Sequence, residues 1–195
     1  QGLRPELGSK NFDELAADDL SWRFAVKTGP VEFVDRIAGP QLIDPSKEIG
    51  DFVVWTKRNQ PAYQLAVVVD DHRQGITDIV RGDDLLPSAA RQLLLYNALG
   101  HASKTPTYFH LPLVLGEDGK RLAKRHGDTR VETYRECGAP PEAIVGLVAS
   151  WSGVEGERSL MSAAEFKTAF SLTTMPLDPI VFSQVQDAWV RSHCR

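Results

Sequence analysis

The sequence predicts an α/β fold, and three features carry that prediction. A short β-branched run, Ile76–Val80, leads through Arg81-Gly82-Asp83-Asp84 into a helical pattern ending at Gly100, the order of half a βαβ unit. A second apolar run suited to a strand covers Tyr108–Leu115. Helical patterns then occupy the remaining chain to Arg195. The composition agrees: 42% of the 195 residues are hydrophobic and 25% charged, which excludes a disordered or collagen-like chain. Cys137 and Cys194 are too few for a disulfide scaffold and lack metal-ligand spacing. No apolar run approaches the roughly 18 residues of a membrane span. A net charge of −4 argues against a uniformly basic nucleic-acid coat and leaves room for a local basic patch.

Taken in order, residues 1–20 are polar and acidic and read as a loop with one helical turn. Trp22, Phe24 and Val26 alternate with smaller or polar residues, and Val31 and Phe33 follow Thr28-Gly29-Pro30, which reads as a β-hairpin. Gly39-Pro40 marks a turn, and Asp51–Trp55 a strand. Ala62–Val69 is an apolar run that periodicity alone assigns to neither helix nor strand. Ile76–Val80 is expected to be a buried strand. The helix after it takes Ser88 as N-cap, a stripe of Leu93, Leu94, Tyr96, Ala98 and Leu99, and Gly100 at its C-terminal end. Gly116-Glu117-Asp118-Gly119 forms a turn, and helices are expected over Val131–Cys137, Pro141–Trp151 and Ala163–Phe170. Cys137 reads as a small buried hydrophobe. No repeat and no interdomain linker is evident.

Four places could carry chemistry. Arg81 closes a strand, where open α/β sheets bind ligands, and a guanidinium there grips a carboxylate or phosphate through two parallel hydrogen bonds. The alternative is a structural salt bridge with Asp83 or Asp84. Lys120, Arg121, Lys124 and Arg125 fall between Gly119 and Gly127, a basic loop suited to phosphates, or a solvated charge run. Tyr63 offers a hydroxyl to a small substrate, or is a buried tyrosine satisfying a backbone carbonyl. Asp70-Asp71 is a paired carboxylate with no evident partner. The five histidines His72, His101, His110, His126 and His193 are scattered without ligand spacing, so no metal site is expected. Neither a nucleophile-elbow nor a P-loop pattern occurs.

Several of these segments, in this order, resemble the glutamyl branch of the class I aminoacyl-tRNA synthetases. They are Pro61-Ala62-Tyr63-Gln64 through Val69-Asp70-Asp71-His72, Gly75-Ile76-Thr77 through Asp84-Leu85-Leu86, Arg91-Gln92-Leu93 through Gly100, and His110-Leu111-Pro112-Leu113. The likeness covers roughly residues 20–155. It implies a ligase that activates glutamate with ATP and Mg2+, releasing pyrophosphate and passing the glutamyl group to tRNA in the cytoplasm. By this resemblance Tyr63 and Arg81 hold the glutamate. Arg121-Leu122-Ala123-Lys124-Arg125 matches the KMSKS loop, with Lys124 stabilising charge on the departing phosphates and the whole loop contributing to ATP binding. Asp84 and Leu85 lie where the family approaches the nucleotide. Arg121 and Ala123 depart from the motif, while its second lysine is kept.

Within the branch, the short stretch after Lys124 and the blocks Asp71-His72-Arg73-Gln74-Gly75 and Leu172-Thr173-Thr174-Met175-Pro176 resemble the enzymes that glutamylate queuosine in tRNA(Asp). A fragment of a discriminating glutamate–tRNA ligase and a non-catalytic remnant that binds glutamate or RNA stand as alternatives. The resemblance implies the second half of a Rossmann-like catalytic domain over 51–130, a connective β-rich insertion over 1–50 and a helical segment over 131–195. No HIGH-type motif is present, and the chain begins at Gln1 without Met. It is therefore expected to be the later part of an enzyme whose earlier part, with any zinc site, lies outside it.

Overall fold

The computed structural model describes residues 20–27, 29–123 and 129–195. The expected helical turn within residues 1–20 and the loop residues Lys124 and Arg125 lie outside that set. The chain is mixed α/β, in two compact units: residues 1–80 with 85–109, and residues 81–84 with 110–195.

In the first unit, β1 (Trp22–Phe24) pairs antiparallel with β4 (Phe52–Thr56), which continues to β5 (Gln60–Pro61). The hairpin expected around Gly29-Pro30 is therefore not the pairing observed. The hairpin instead joins β2 (Val31–Asp35) to β3 (Gly39–Ile43), with Pro40 inside the strand opposite Val34. The turn lies earlier than Gly39-Pro40 because the Asp35 carboxylate accepts from the Ile37 and Ala38 amides, at 3.0 and 2.8 Å. A one-turn helix, α1 (Pro45–Glu48), is capped by Asp44.

The undecided run becomes helix α2 (Tyr63–Gln74), closed by Gly75 at φ 68°, a left-handed conformation glycine adopts without penalty. Three successive valines disfavour a helix locally, and burial of Val68 against Val26, Phe52, Leu95 and Tyr96 overrides that preference. Phe24 and Phe52 stack beside them at 5.3 Å.

Strand β6 (Asp78–Gly82) begins later than expected and is not buried. In the order β3-β2-β7-β6 it takes an outer position, and Val80 is 62% exposed. Alternation cannot separate a β-branched edge strand from an interior one. A short 3-10 turn (Asp83–Leu85) leads into α3 (Leu86–Ala98), which starts two residues before Ser88 because Pro87 fits its first turn. Ser88 is thus not the N-cap. It is buried and receives the Gln64 amide at 3.1 Å. Gln92 donates to Gln64, and the Tyr108 hydroxyl donates to Gln92, so a chain of neutral polar groups links α2, α3 and β7 (Thr107–Leu111). The buried stripe of α3 runs through Ala89, Gln92, Leu95 and Tyr96, and Leu99 lies outside it.

The expected strand Tyr108–Leu115 is two strands, β7 and β8 (Val114–Leu115), because Pro112 lacks the amide a continuous ladder needs. In the second unit β8 pairs in parallel with β9 (Ile180–Val181), a strand within the region expected to be helical. Helices α4 (Val131–Glu136), α5 (Pro141–Trp151), α6 (Ala163–Ala169) and α7 (Gln184–Arg191) complete the unit. Its core joins Tyr134, Ala143, Leu147, Phe182 and Val190. The Tyr134 hydroxyl donates to Asp187, whose carboxylate also receives Arg191. Cys137 is not a free hydrophobe: it forms a disulfide with Cys194, which the 57-residue separation had hidden. No helix among the described residues is long and apolar enough to cross a membrane.

Two measurements test this packing. A Cβ at Gly146 of α5 would sit 1.9 Å from the Ser159 carbonyl oxygen, a backbone atom that cannot swing aside. Gly146→Ala is expected to destabilise the second unit by about 3 kcal/mol in denaturant unfolding, the upper end of overpacking costs. Among the described residues the buried Tyr96 hydroxyl has no hydrogen-bond partner, and burial, reinforced by the Asp71 charge, pushes its pKa from 10.0 up to about 12. That contribution to stability is complete below the unfolded value and lost as pH rises from about 10 to about 12. Tyr96→Phe is expected to raise stability at neutral pH by about 1 kcal/mol and to blunt the alkaline loss, read from melting curves across that range.

Candidate functional site

Strand β6 ends in the residues the sequence marks for ligand binding, and alternation with Ile79 turns Arg81 off the exposed side of Val80. Arg81 is half-buried, and its Nε donates to Nε2 of His110 at 3.0 Å. His110 lies on β7, two residues beyond Tyr108, so the two side chains share a face, and it is only 1% exposed. Nε2 is therefore the acceptor of this bond. In the sequence His110 is one of the scattered histidines without metal spacing, and no motif marks it. Its signal was the position at period two on a strand beside the Arg81 segment.

The alternative for Arg81, a structural bridge to its neighbouring acids, is answered in part by Asp84. That carboxylate pairs with Arg121 at 2.9 Å, across 37 residues of chain. Gly82 makes room for it, since a Cβ there would stand 2.7 Å from Asp84 Oδ1 and 3.1 Å from a Leu113 methyl. Leu85 is half-buried and closes the 3-10 turn that enters α3.

Arg121 opens the basic loop from a fixed base. The Gly116 amide donates to the Lys120 carbonyl and the Leu122 amide to Val114, each at 2.8 Å, and Leu115 bridges Arg121. The turn between them is the expected one: Gly119 adopts φ 71°, its amide donates to Gly116, and the Asp118 carboxylate receives the Lys120 amide. Leu122 packs on the core of the second unit, so the loop leaves a base fixed by hydrogen bonds and apolar contact. Ala123 is the last described residue before 124–128.

Tyr63 is the first residue of α2 and is 59% exposed, so the buried-tyrosine alternative does not hold. It belongs to the first unit, as does Leu85, whereas Arg81, Asp84, His110, Arg121, Leu122 and Ala123 belong to the second. The structure therefore brings together Arg81 with His110, and Asp84 with Arg121. Asp70 and Asp71 sit near the C-terminal end of α2. Among the described residues no group of three or more His, Cys, Asp or Glu side chains is arranged to hold a metal ion.

Against known proteins, residues 11–186 match the family model described as tRNA synthetases class I (E and Q), catalytic domain. The Glutamyl-Q tRNA(Asp) synthetase of Rhodopirellula baltica is 50% identical over 151 residues, 74% of this chain and 45% of that protein. The protein of the same name from Symbiobacterium thermophilum is 45% identical over 91% of this chain and 54% of its own length. Glutamate--tRNA ligase 2 of Syntrophus aciditrophicus is 40% identical over 88% of this chain and 35% of its own. The crystal structure of the glutamate-tRNA synthetase from Elizabethkingia anophelis superposes with a TM-score of 0.74 at 28% identity, over 91% of this chain and 40% of that one. The chain thus spans about half the length of the Glutamyl-Q relatives it matches.

The Asp84–Arg121 pair has side chains 33% and 70% exposed, where ion pairs contribute about 0–1 kcal/mol. Asp84→Asn is expected to move the unfolding free energy by no more than about 1 kcal/mol in urea titration. A larger loss would make the pair part of the fold itself.

Proposed function

Because the chain belongs to the catalytic-domain family of the class I tRNA synthetases (E and Q), we propose that it forms part of an enzyme that activates glutamate with ATP and transfers it to tRNA. The observation carrying this reading is Arg81, held at the end of β6 by a hydrogen bond from its Nε. The end of a strand in an open α/β sheet is where such folds take ligands, and a guanidinium is suited to a carboxylate substrate. In this reading Tyr63 and Arg81 hold glutamate. Asp84 and Leu85 approach the nucleotide, as does the loop Arg121-Leu122-Ala123-Lys124-Arg125. The glutamate carboxylate attacks the α-phosphate in line, a phosphorus–oxygen bond forms, and the bond to pyrophosphate breaks. Lys124 then stabilises the charge gathering on the leaving phosphates. The glutamyl group passes from the adenylate to RNA, and AMP departs.

Residues 51–130 act here as the second half of the nucleotide-binding domain, 1–50 as the connective insertion and 131–195 as the helical segment. The described residues form no acidic cage for Mg2+, so the ion would come with the ATP phosphates, and no step is assigned to it. The disulfide-bonded cysteines are not zinc ligands. The acceptor is the queuosine base of tRNA(Asp) and the setting the cytoplasm. The likeness to two relatives named for that reaction, at 50% and 45% identity, favours this acceptor over the 3′ end used by a glutamate–tRNA ligase.

Glutamate-dependent ATP–pyrophosphate exchange, measured on the protein expressed from its complete reading frame, tests the activation step. Arg81→Lys is expected to lower kcat/KM for glutamate about 10- to 100-fold, since it loses the paired hydrogen bonds to a carboxylate. Lys124→Ala is expected to lower exchange about 100-fold or more. No exchange by the folded protein would leave the binding remnant as the reading. Transfer of labelled glutamate to tRNA(Asp) only when it carries queuosine supports the base as acceptor. Transfer to tRNA(Glu) irrespective of queuosine would replace that reading with the ligase.

A further inference from the structure

We propose that His110 is a positioning residue that sets how Arg81 meets its carboxylate substrate; this rests on Arg81 being the glutamate ligand. Three observations carry it. His110 is 1% exposed, and a polar ring so deeply buried requires partners for its nitrogens. Its Nε2 accepts the Arg81 Nε–H at 3.0 Å, within the range of a well-formed hydrogen bond. Its backbone is set in strand β7, which fixes the direction in which the imidazole leaves the chain.

The bond has a directional consequence. A guanidinium can present either its side, Nε with one Nη, or its end, the two Nη groups, to a carboxylate. His110 takes the Nε–H, so the side-on pairing through Nε is not available to a carboxylate ligand. The bond also has an electrostatic consequence. An aspartate or glutamate at position 110 would fix Nε equally well, but it would add a negative charge beside the guanidinium and weaken its attraction for an anionic substrate. An imidazole accepting through Nε2 fixes the group without adding that charge. Arg81 is thereby held like a salt-bridged arginine while His110 brings no counter-charge to it.

The test is pyrophosphate exchange on the complete protein, carrying His110→Ala, His110→Gln, His110→Glu or Arg81→Lys, with folding of each checked by circular dichroism and melting. His110→Ala is expected to raise the glutamate KM at least 10-fold while leaving the ATP KM within about twofold, since only orientation of Arg81 is lost. His110→Gln places a neutral acceptor near the former Nε2 and is expected to restore most of the affinity. His110→Glu is expected to keep the acceptor but add a negative charge beside the guanidinium, raising the glutamate KM at least 10-fold. Should Arg81→Lys raise the glutamate KM while His110→Ala and His110→Glu leave it unchanged, the positioning role is overturned. An equal rise of glutamate and ATP KM in the alanine and glutamine variants also overturns it, as the mark of a purely structural histidine. An unchanged glutamate KM in folded Arg81→Lys would instead remove the premise that Arg81 binds glutamate.

Discussion

A buried polar group must find a partner inside the protein, and strand β7 places two such groups side by side. Tyr108 and His110 stand two residues apart on its inward face, both almost wholly enclosed. The Tyr108 hydroxyl is answered by Gln92, Gln92 by Gln64 and Gln64 by Ser88, so α2 and α3 are held by oriented amides as well as apolar packing. The His110 ring is answered by Arg81. The same requirement is met at both positions of the strand. Either substitution toward an apolar residue would strand a donor or acceptor with little access to water.

Arg81 and Arg121 are anchored differently. Arg81 donates to the imidazole of His110, and Arg121 to the carboxylate of Asp84. The second pair is largely exposed, where an ion pair contributes little to stability. Beneath Arg121, backbone hydrogen bonds from Val114 to Leu122 and the packing of Leu122 fix the residues that lead up to position 123.

The fold class and the helices over 131–136, 141–151 and 163–169 were legible because each is long or punctuated enough for local rules to decide. The runs around Trp22 and Phe52 were legible as strands, but their pairing with each other was not, since alternation identifies a strand without naming its neighbour. Exposure of Val80 escaped for the same reason: a β-branched run looks alike at an edge and in the centre. Pro112 carried its signal openly and still passed unread inside an apolar stretch. Among the site residues, Arg81 and Arg121 stood out through charge and spacing. His110 did not, because its importance lies in a contact 29 residues away in the chain. Cys137 was misread in the same manner, its partner being 57 residues distant.

That last pairing has a topological meaning. The bond from Cys137 to Cys194 closes a covalent ring that contains α5, α6, β9 and α7. With the bond formed, an unfolded chain cannot separate the two ends of this ring, and closing a loop of this length removes disorder worth about 4 kcal/mol on a chain-entropy estimate. The same ring makes the segment insensitive to a single cut. A broken peptide bond inside it opens the backbone but releases no fragment, because the severed halves stay joined through sulfur. The polypeptide after α4 is therefore a closed circuit, with the core that supports Leu122 partly inside it.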